Sequence, residues 1–516
     1  MKITLKILSS FLLILFFQSC KKEEIKLKSE DINLKNISNN ELYNQFAILL
    51  SKAVNDSPPL RKFIKDQALK KFDNDHDILY NYVKDEKIDS QNSLKEFLSN
   101  YQEYPNQLTM IESAIPTLTI FVPTLTESNF SPENWNSDKD IPLVSTNLIK
   151  RNGEIPVFED GDEIFSLKSN ETPGFPILVV KPNERVTLRK NIKSKSANIN
   201  KESFEFISPA FNGLIKTKST YGTNYTIDPS ITNAYNVFGV DISKWQRDHV
   251  YYKLTNDQTT GPLQRNMREA IAMLKISRAG LNKISDQSGD PMLTNNPNKT
   301  IEVPDNYRPQ LDGILQRNAW SDGSFEFRFD VLINNKSGAG TALAIYLPVK
   351  PTDLFRIGVS YTIQVRNGKK SALVVYLHNA NLTSGRGFQS QEFLCNLPII
   401  NWDIQNNSFI WKISLAEVDA TETITYKESI TREFATNFNL DLKIGLKFGA
   451  SNKESKTDEF TILKTVGEDD LGHILLNFSD PIITNITSDF QGSNITNLMT
   501  YSNEYFEILV LPQKYY

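Results

Sequence analysis

Apolar residues recur at every second position through the final third of the chain, and that period leaves few folds open. Phe325, Phe327, Phe329, Val331 and Ile333 recur at every second position, with Glu326, Arg328 and Asp330 between the first four, the pattern of a strand with one buried and one wetted face. Residues 359–366 and 371–377 flank Asn367-Gly368, a pair that supplies the two positive φ angles of a type I′ hairpin turn. Phe438, Leu440, Leu442, Ile444, Leu446 and Phe448 alternate again, and residues 505–511 read as a closing strand. Strands this frequent predict an antiparallel β-sandwich over residues 301–516.

Upstream the period is that of helices. Asn39 or Asn40 can cap a helix with Leu42, Phe46, Leu49, Leu50 and Ala53 on one stripe. Ser57-Pro58-Pro59 opens a second helix, Asp77 a third through Ile78, Leu79 and Val83, and two more fall at 93–101 and 105–114. Residues 39–115 therefore read as a small helical unit, and the β-branched runs after Pro116 as a small β or α/β unit over 116–190. Residues 191–235 are polar and read as a linker or long loop. Residues 236–300 are mixed, with a helix expected at 260–277, where Leu263, Met267, Ala270, Ile271 and Leu274 share a face. The expected class is α+β, multidomain: helical unit first, β-rich units after it, an antiparallel β-sandwich last.

The start of the chain carries an address. Lys2 and Lys6 precede an apolar run, 7–17, broken only by Ser9 and Ser10; Gln18, Ser19 and Cys20 follow. Eleven residues are too few to span a bilayer, which takes roughly 20. A basic start, a short apolar centre and a small residue before the cut predict a cleaved signal over 1–19. Residues 20–38, rich in Lys, Glu, Asp and Asn, read as a flexible tether.

This segment resembles bacterial lipoprotein signals, in which the cysteine after the cut is acylated; Phe17 and Gln18 stand where a Leu and a small residue are common. Lys22-Glu23-Glu24 is similar to the export signal of surface lipoproteins in the Bacteroidota. The resemblance covers the first 24 residues. It implies a body lipid-anchored through Cys20 at the bacterial outer membrane and facing the cell surface, held by at least two acyl chains because one binds only marginally. With Cys20 acylated, Cys395 has no intramolecular partner, and the fold must rely on its core rather than on disulfides. Cys395, after Phe393-Leu394, reads as a small buried hydrophobe. Formal net charge is -4, and -6 once Lys2 and Lys6 leave with the signal. Such a chain has no electrostatic footprint for nucleic acid.

Candidate chemistry is sparse. Glu159, Asp160, Asp162 and Glu163 surround Gly161; a turn there can aim several oxygens at one ion, so calcium is the one cofactor to consider, with a solvated acidic turn as the other reading. Glu468-Asp469-Asp470 poses the same choice. Residues 72–77 begin like a calcium loop, but Ile78 and Lys84 stand where Gly and Glu are required, so they read as a helix N-terminus. His76, His249, His378 and His473 form no metal-ligand spacing. Carboxylate pairs for glycoside cleavage meet in space and leave no sequence mark. Residues 421–466 resemble the membrane-inserting hairpins of β-pore formers, with 438–448 as the membrane-facing strand. Trp135, Trp245, Trp320, Trp402 and Trp411 are core residues or a sugar platform.

The expected function is that of an exported, membrane-anchored lipoprotein that binds a glycan or protein, or serves as a structural module, without catalysis. The alternatives are a hydrolase with a dispersed site and a β-pore former using hairpin 421–466.

Overall fold

The computed structural model describes residues 37–125, 129–147, 154–168, 171–189, 199–213, 227–241, 244–284, 324–338, 340–357, 359–366, 370–377, 388–418, 423–435, 453–465, 468–488 and 492–515. The chain divides into two compact units, Met1–Glu41 and Leu42–Tyr516. In the first, Ser38 Oγ accepts the amide of Glu41 at 3.3 Å, one residue ahead of the expected asparagine cap. The chain from Leu42 onward belongs to the second, which is α+β, with helices ahead of largely antiparallel sheets. No described helix is long and apolar enough to cross a membrane.

Helix α1 (Asn39–Asp56) buries the expected stripe of Leu42, Phe46, Leu49, Leu50 and Ala53. Helix α2 (Pro58–Ala68) starts where Ser57 Oγ accepts the amide of Leu60 at 3.2 Å, and proline at its first positions costs no hydrogen bond. The third expected helix is different. Asp77–Leu79 is a strand, β1, and a single helical turn, Tyr80–Val83, follows it. Helix α3 (Gln107–Ala114) leads into β2 (Leu118–Phe121), β3 (Leu143–Thr146), β4 (Glu154–Glu159), β5 (Asp162–Lys168) and β6 (Ile177–Pro182). These six strands form one sheet in the order β1-β2-β6-β3-β4-β5, antiparallel except for β3 beside β6. The stretch 191–235 is not all linker: Phe204–Phe206 pairs with Val186–Leu188, and a helix, α4 (Pro229–Phe238), begins within it.

Helix α5 (Gln246–Tyr252) precedes a strand in the stretch that the sequence predicts as helical. The expected helix 260–277 is instead a strand, β7 (Met267–Ile276). The remaining sandwich strands are β8 (Phe325–Ile333), β9 (Thr341–Val349), β10 (Phe393–Pro398), β11 (Ile410–Glu417), a hairpin of β12 (Thr423–Ala435) and β13 (Lys453–Thr465), then β14 (Asp469–Asn477), β15 (Thr500–Ser502) and β16 (Phe506–Lys514). One sheet runs β10-β7-β16-β15 and the other β9-β8-β11-β14, with every pairing antiparallel. A single apolar core joins them: Phe327, Phe329, Ile413 and Leu415 from one sheet, Ile271, Leu274, Ile508 and Val510 from the other. Trp402 stacks on Phe478 within it, centroids 5.1 Å apart. Trp135, Trp245, Trp402 and Trp411 are all buried, so none of these four offers a sugar platform; Trp320 lies outside the described residues.

The outer face of β8 is not wetted. Glu326, Arg328 and Asp330 are as buried as the phenylalanines between them. At one end of that face Leu332 packs against Ile430, Phe460 and Ile462 of the β12–β13 hairpin. Asn334 Nδ2 donates to Ile430 O at 2.8 Å, and the amide of Asn335 donates to Asp458 Oδ2 at 2.9 Å. The hairpin thus pairs 423–435 with 453–465; the apolar stretch 438–448 lies outside the described residues. The hairpin expected around Asn367-Gly368 also forms, but Arg366 sits opposite Lys370, which leaves three residues between the strands rather than two; the turn itself lies outside the described residues.

Candidate functional site

Charged residues converge where the outer end of β8 meets residues 73–77 and 181–185. Arg185 is the centre. Its Nε donates to Glu326 Oε1 at 2.8 Å, Nη2 reaches both that oxygen and Asp75 Oδ2, the latter at 3.2 Å, and Nη1 donates to the carbonyl of Asp73 at 3.0 Å. Its guanidinium lies over the Phe211 ring, 5.8 Å from the centroid. A guanidinium carries five donors in a fixed plane, which suits it to serve three partners at once. Burial works against its charge, but Glu326 and then Asp75 outweigh that and hold Arg185 protonated.

Lys181, on β6, is buried beside it. Its Nζ donates to Glu184 Oε2 at 3.0 Å and stands 3.5 Å from Asp77 Oδ2 on β1. Asn183 ties the two groups together, with Nδ2 donating to Asp73 Oδ2 at 2.8 Å and, longer, to Asp77 Oδ2 at 3.4 Å. Burial pushes the carboxyls of Asp73 and Asp77 up, Asp77 most strongly. Burial would raise Asp75 too, but Arg185 holds it below the ordinary carboxylate range. Five carboxyl groups (Asp73, Asp75, Asp77, Glu184, Glu326) thus face two cations in a site closed to solvent except at Asp75. Such a surplus is tolerable only where some carboxyls stay protonated.

The reading of residues 72–77 as a helix N-terminus is therefore corrected. The backbone turns at Asn74, φ 71°, and the aspartates point inward at the seam or cap the turn itself, as Asp75 Oδ1 does for the amide of His76 at 2.8 Å. A second buried ion group continues along β8. Arg328 Nη2 lies 3.0 Å from Asp330 Oδ2 and 2.9 Å from Glu468 Oε2. Glu468 is thus held by a guanidinium, and Asp470 Oδ1 accepts the amide of Gly472 at 2.7 Å.

The acidic group at 159–163 is a hairpin turn. Glu159 pairs with Asp162, and the two residues between them, Asp160 and Gly161, have φ of 51° and 89°. This is the conformation an Asp-Gly type I′ turn adopts without any ion. The amide of Gly161 donates to Ser51 Oγ on α1 at 2.9 Å, and Asp160, Asp162 and Glu163 are exposed. Among the described residues no three His, Cys, Asp or Glu side chains come together as metal ligands.

The described histidines stand apart. His76 Nε2 lies 3.2 Å from Glu133 Oε1, and His249 Nδ1 shares a hydrogen bond with the carbonyl of Leu254 at 2.8 Å. His378 lies outside the described residues. Beside His249, Arg247 and Glu269 form a buried two-point ion pair at 2.9 and 3.3 Å, whereas neither carboxyl oxygen of the fully buried Asp248 has a hydrogen-bond partner. Cys395 is buried, donates to the carbonyl of Ile271 at 3.3 Å, and has its thiol pushed up to about 12 by burial, so it is unreactive. No protein-family model, curated protein or solved structure matches the chain.

Proposed function

We propose that this chain is an exported lipoprotein, held by acyl chains on Cys20 at the outer face of a bacterial outer membrane, whose folded body binds a glycan or protein without acting on it chemically. One observation carries the export and anchoring: a basic start, an apolar run too short to span, Ser19-Cys20 and then Lys22-Glu23-Glu24, in that order. The mildly acidic body has no net positive charge with which to hold an anionic surface, so anchorage falls to the lipid. Cys20→Ala is expected to move the protein from the membrane fraction to the soluble fraction. Unchanged partitioning would remove the anchor from the account.

Cofactors are not needed for this reading. Calorimetric titration with calcium is expected to show no heat and no rise in melting temperature; a calcium-dependent rise would favour an ion at Glu159, Asp160, Asp162 and Glu163 or at Glu468, Asp469 and Asp470. A second reading, membrane insertion, is favoured by the β12–β13 hairpin, whose thirteen paired residues exceed the roughly 9–11 that a tilted membrane strand needs. It requires the hairpin to leave Leu332. Dye-filled liposomes are expected to stay intact with the purified protein, and leakage would favour the pore.

A further inference from the structure

The seam contains the parts of a condensation. Lys181 Nζ and Asp77 lie on strands that flank β2, 3.5 Å apart, and Lys181, Asp77 and Glu184 are each less than a tenth exposed. Asp77 Oδ1 has no hydrogen-bond partner. The Phe121 ring, 5.4 Å from the ammonium, walls the group on one side. Glu184 touches the same nitrogen at 3.0 Å. We propose that Lys181 and Asp77 are joined by an amide between Nζ and the side-chain carboxyl carbon, with Glu184 as the proton carrier. This stands apart from the lipoprotein reading and does not depend on it.

The step balances without an oxidant or a co-reactant. Lys181 first gives one proton to Glu184 and becomes a neutral amine, the only form that can attack. Asp77 enters as the protonated acid, the form that burial favours here. The nitrogen lone pair forms a bond to the carboxyl carbon. Glu184 then gives its proton to the departing hydroxyl, which leaves as water, and takes one from the nitrogen as the carbonyl reforms. An amine held at contact distance from the acid has already lost part of the translational and rotational freedom that opposes amide formation in solution. The product ties β1 to β6 across β2, in a chain whose one described cysteine, Cys395, is unpaired.

Tryptic digestion of the full chain tests this directly. Cleavage after Lys71, Lys84, Lys168 and Arg185 yields residues 72–84 and 169–185, which carry Asp77 and Lys181. Mass spectrometry is expected to find the two joined, lighter than their sum by one water, about 18 Da, with fragmentation placing the link at Asp77. Recovery of both peptides unlinked at full mass would overturn the proposal. Glu184→Gln keeps the amine and the acid but removes the proton carrier, and is expected to slow linkage at least about 100-fold, so that the separate peptides return. Full linkage in that variant would overturn the role of Glu184 and leave the bond.

Discussion

Arg185→Met is expected to destabilise the fold by about 3–5 kcal/mol, the cost of removing one partner from a buried charge group. The guanidinium serves Glu326 and Asp75, and its loss leaves Glu326 charged in a place closed to solvent. Urea unfolding followed by tryptophan fluorescence would read the change as a lower midpoint. The double variant Arg185→Met with Glu326→Leu is expected to recover most of the loss, because the penalty lies in the stranded carboxylate rather than in the missing attraction. A single variant that costs less than about 1 kcal/mol, as an exposed pair would, would mean that the seam is wet.

Asp248→Asn is expected to act in the opposite direction. Asp248 is fully buried on α5, its carboxyl has no hydrogen-bond partner, and burial pushes its pKa well above the ordinary value. A carboxyl whose folded pKa is raised contributes its full share of stability below the unfolded pKa, near 4, and loses it as pH climbs through the folded value. At neutral pH the native chain bears that loss, whereas asparagine has the same shape and no charge to bury. The variant should be more stable by about 1–3 kcal/mol at pH 7.5, and the two chains should converge toward pH 4. Melting curves across that range would show it. A variant less stable than the native chain at pH 7.5 would mean that Asp248 has a partner worth keeping.

Much of the fold was legible because local period and burial agree. The stripe on α1, the Ser57 cap and the closing strand β16 follow from residues that satisfy their own neighbours. The misreadings share one cause: the deciding partner is remote in sequence. In β7 the residues Ala270, Ile271 and Leu274 fit a helical face, but Ala270–Leu274 is also an unbroken apolar run. A strand paired on both sides, by β10 and β16, buries all of it. In β8 the alternation gave the strand but not the fate of its polar face. Arg185 and Glu468, each more than a hundred residues away, neutralise Glu326 and Arg328 and let that face be buried.

The seam left a fainter trace. Lys181 ends the apolar run Ile177–Val180, and a lysine at that point reads as a strand leaving the core unless Asp77 is known to face it. Asp160-Gly161 is the reverse case. The dipeptide is a hairpin signal in its own right, and the carboxylates around it suggest an ion that the backbone does not require.

The anchor is where the account is most directly exposed. Mass spectrometry of the first peptide of the mature protein, taken from the membrane fraction, should find Cys20 at the N-terminus with its sulfur and amine carrying acyl chains. A bare Cys20, or a chain still beginning at Met1, would contradict it.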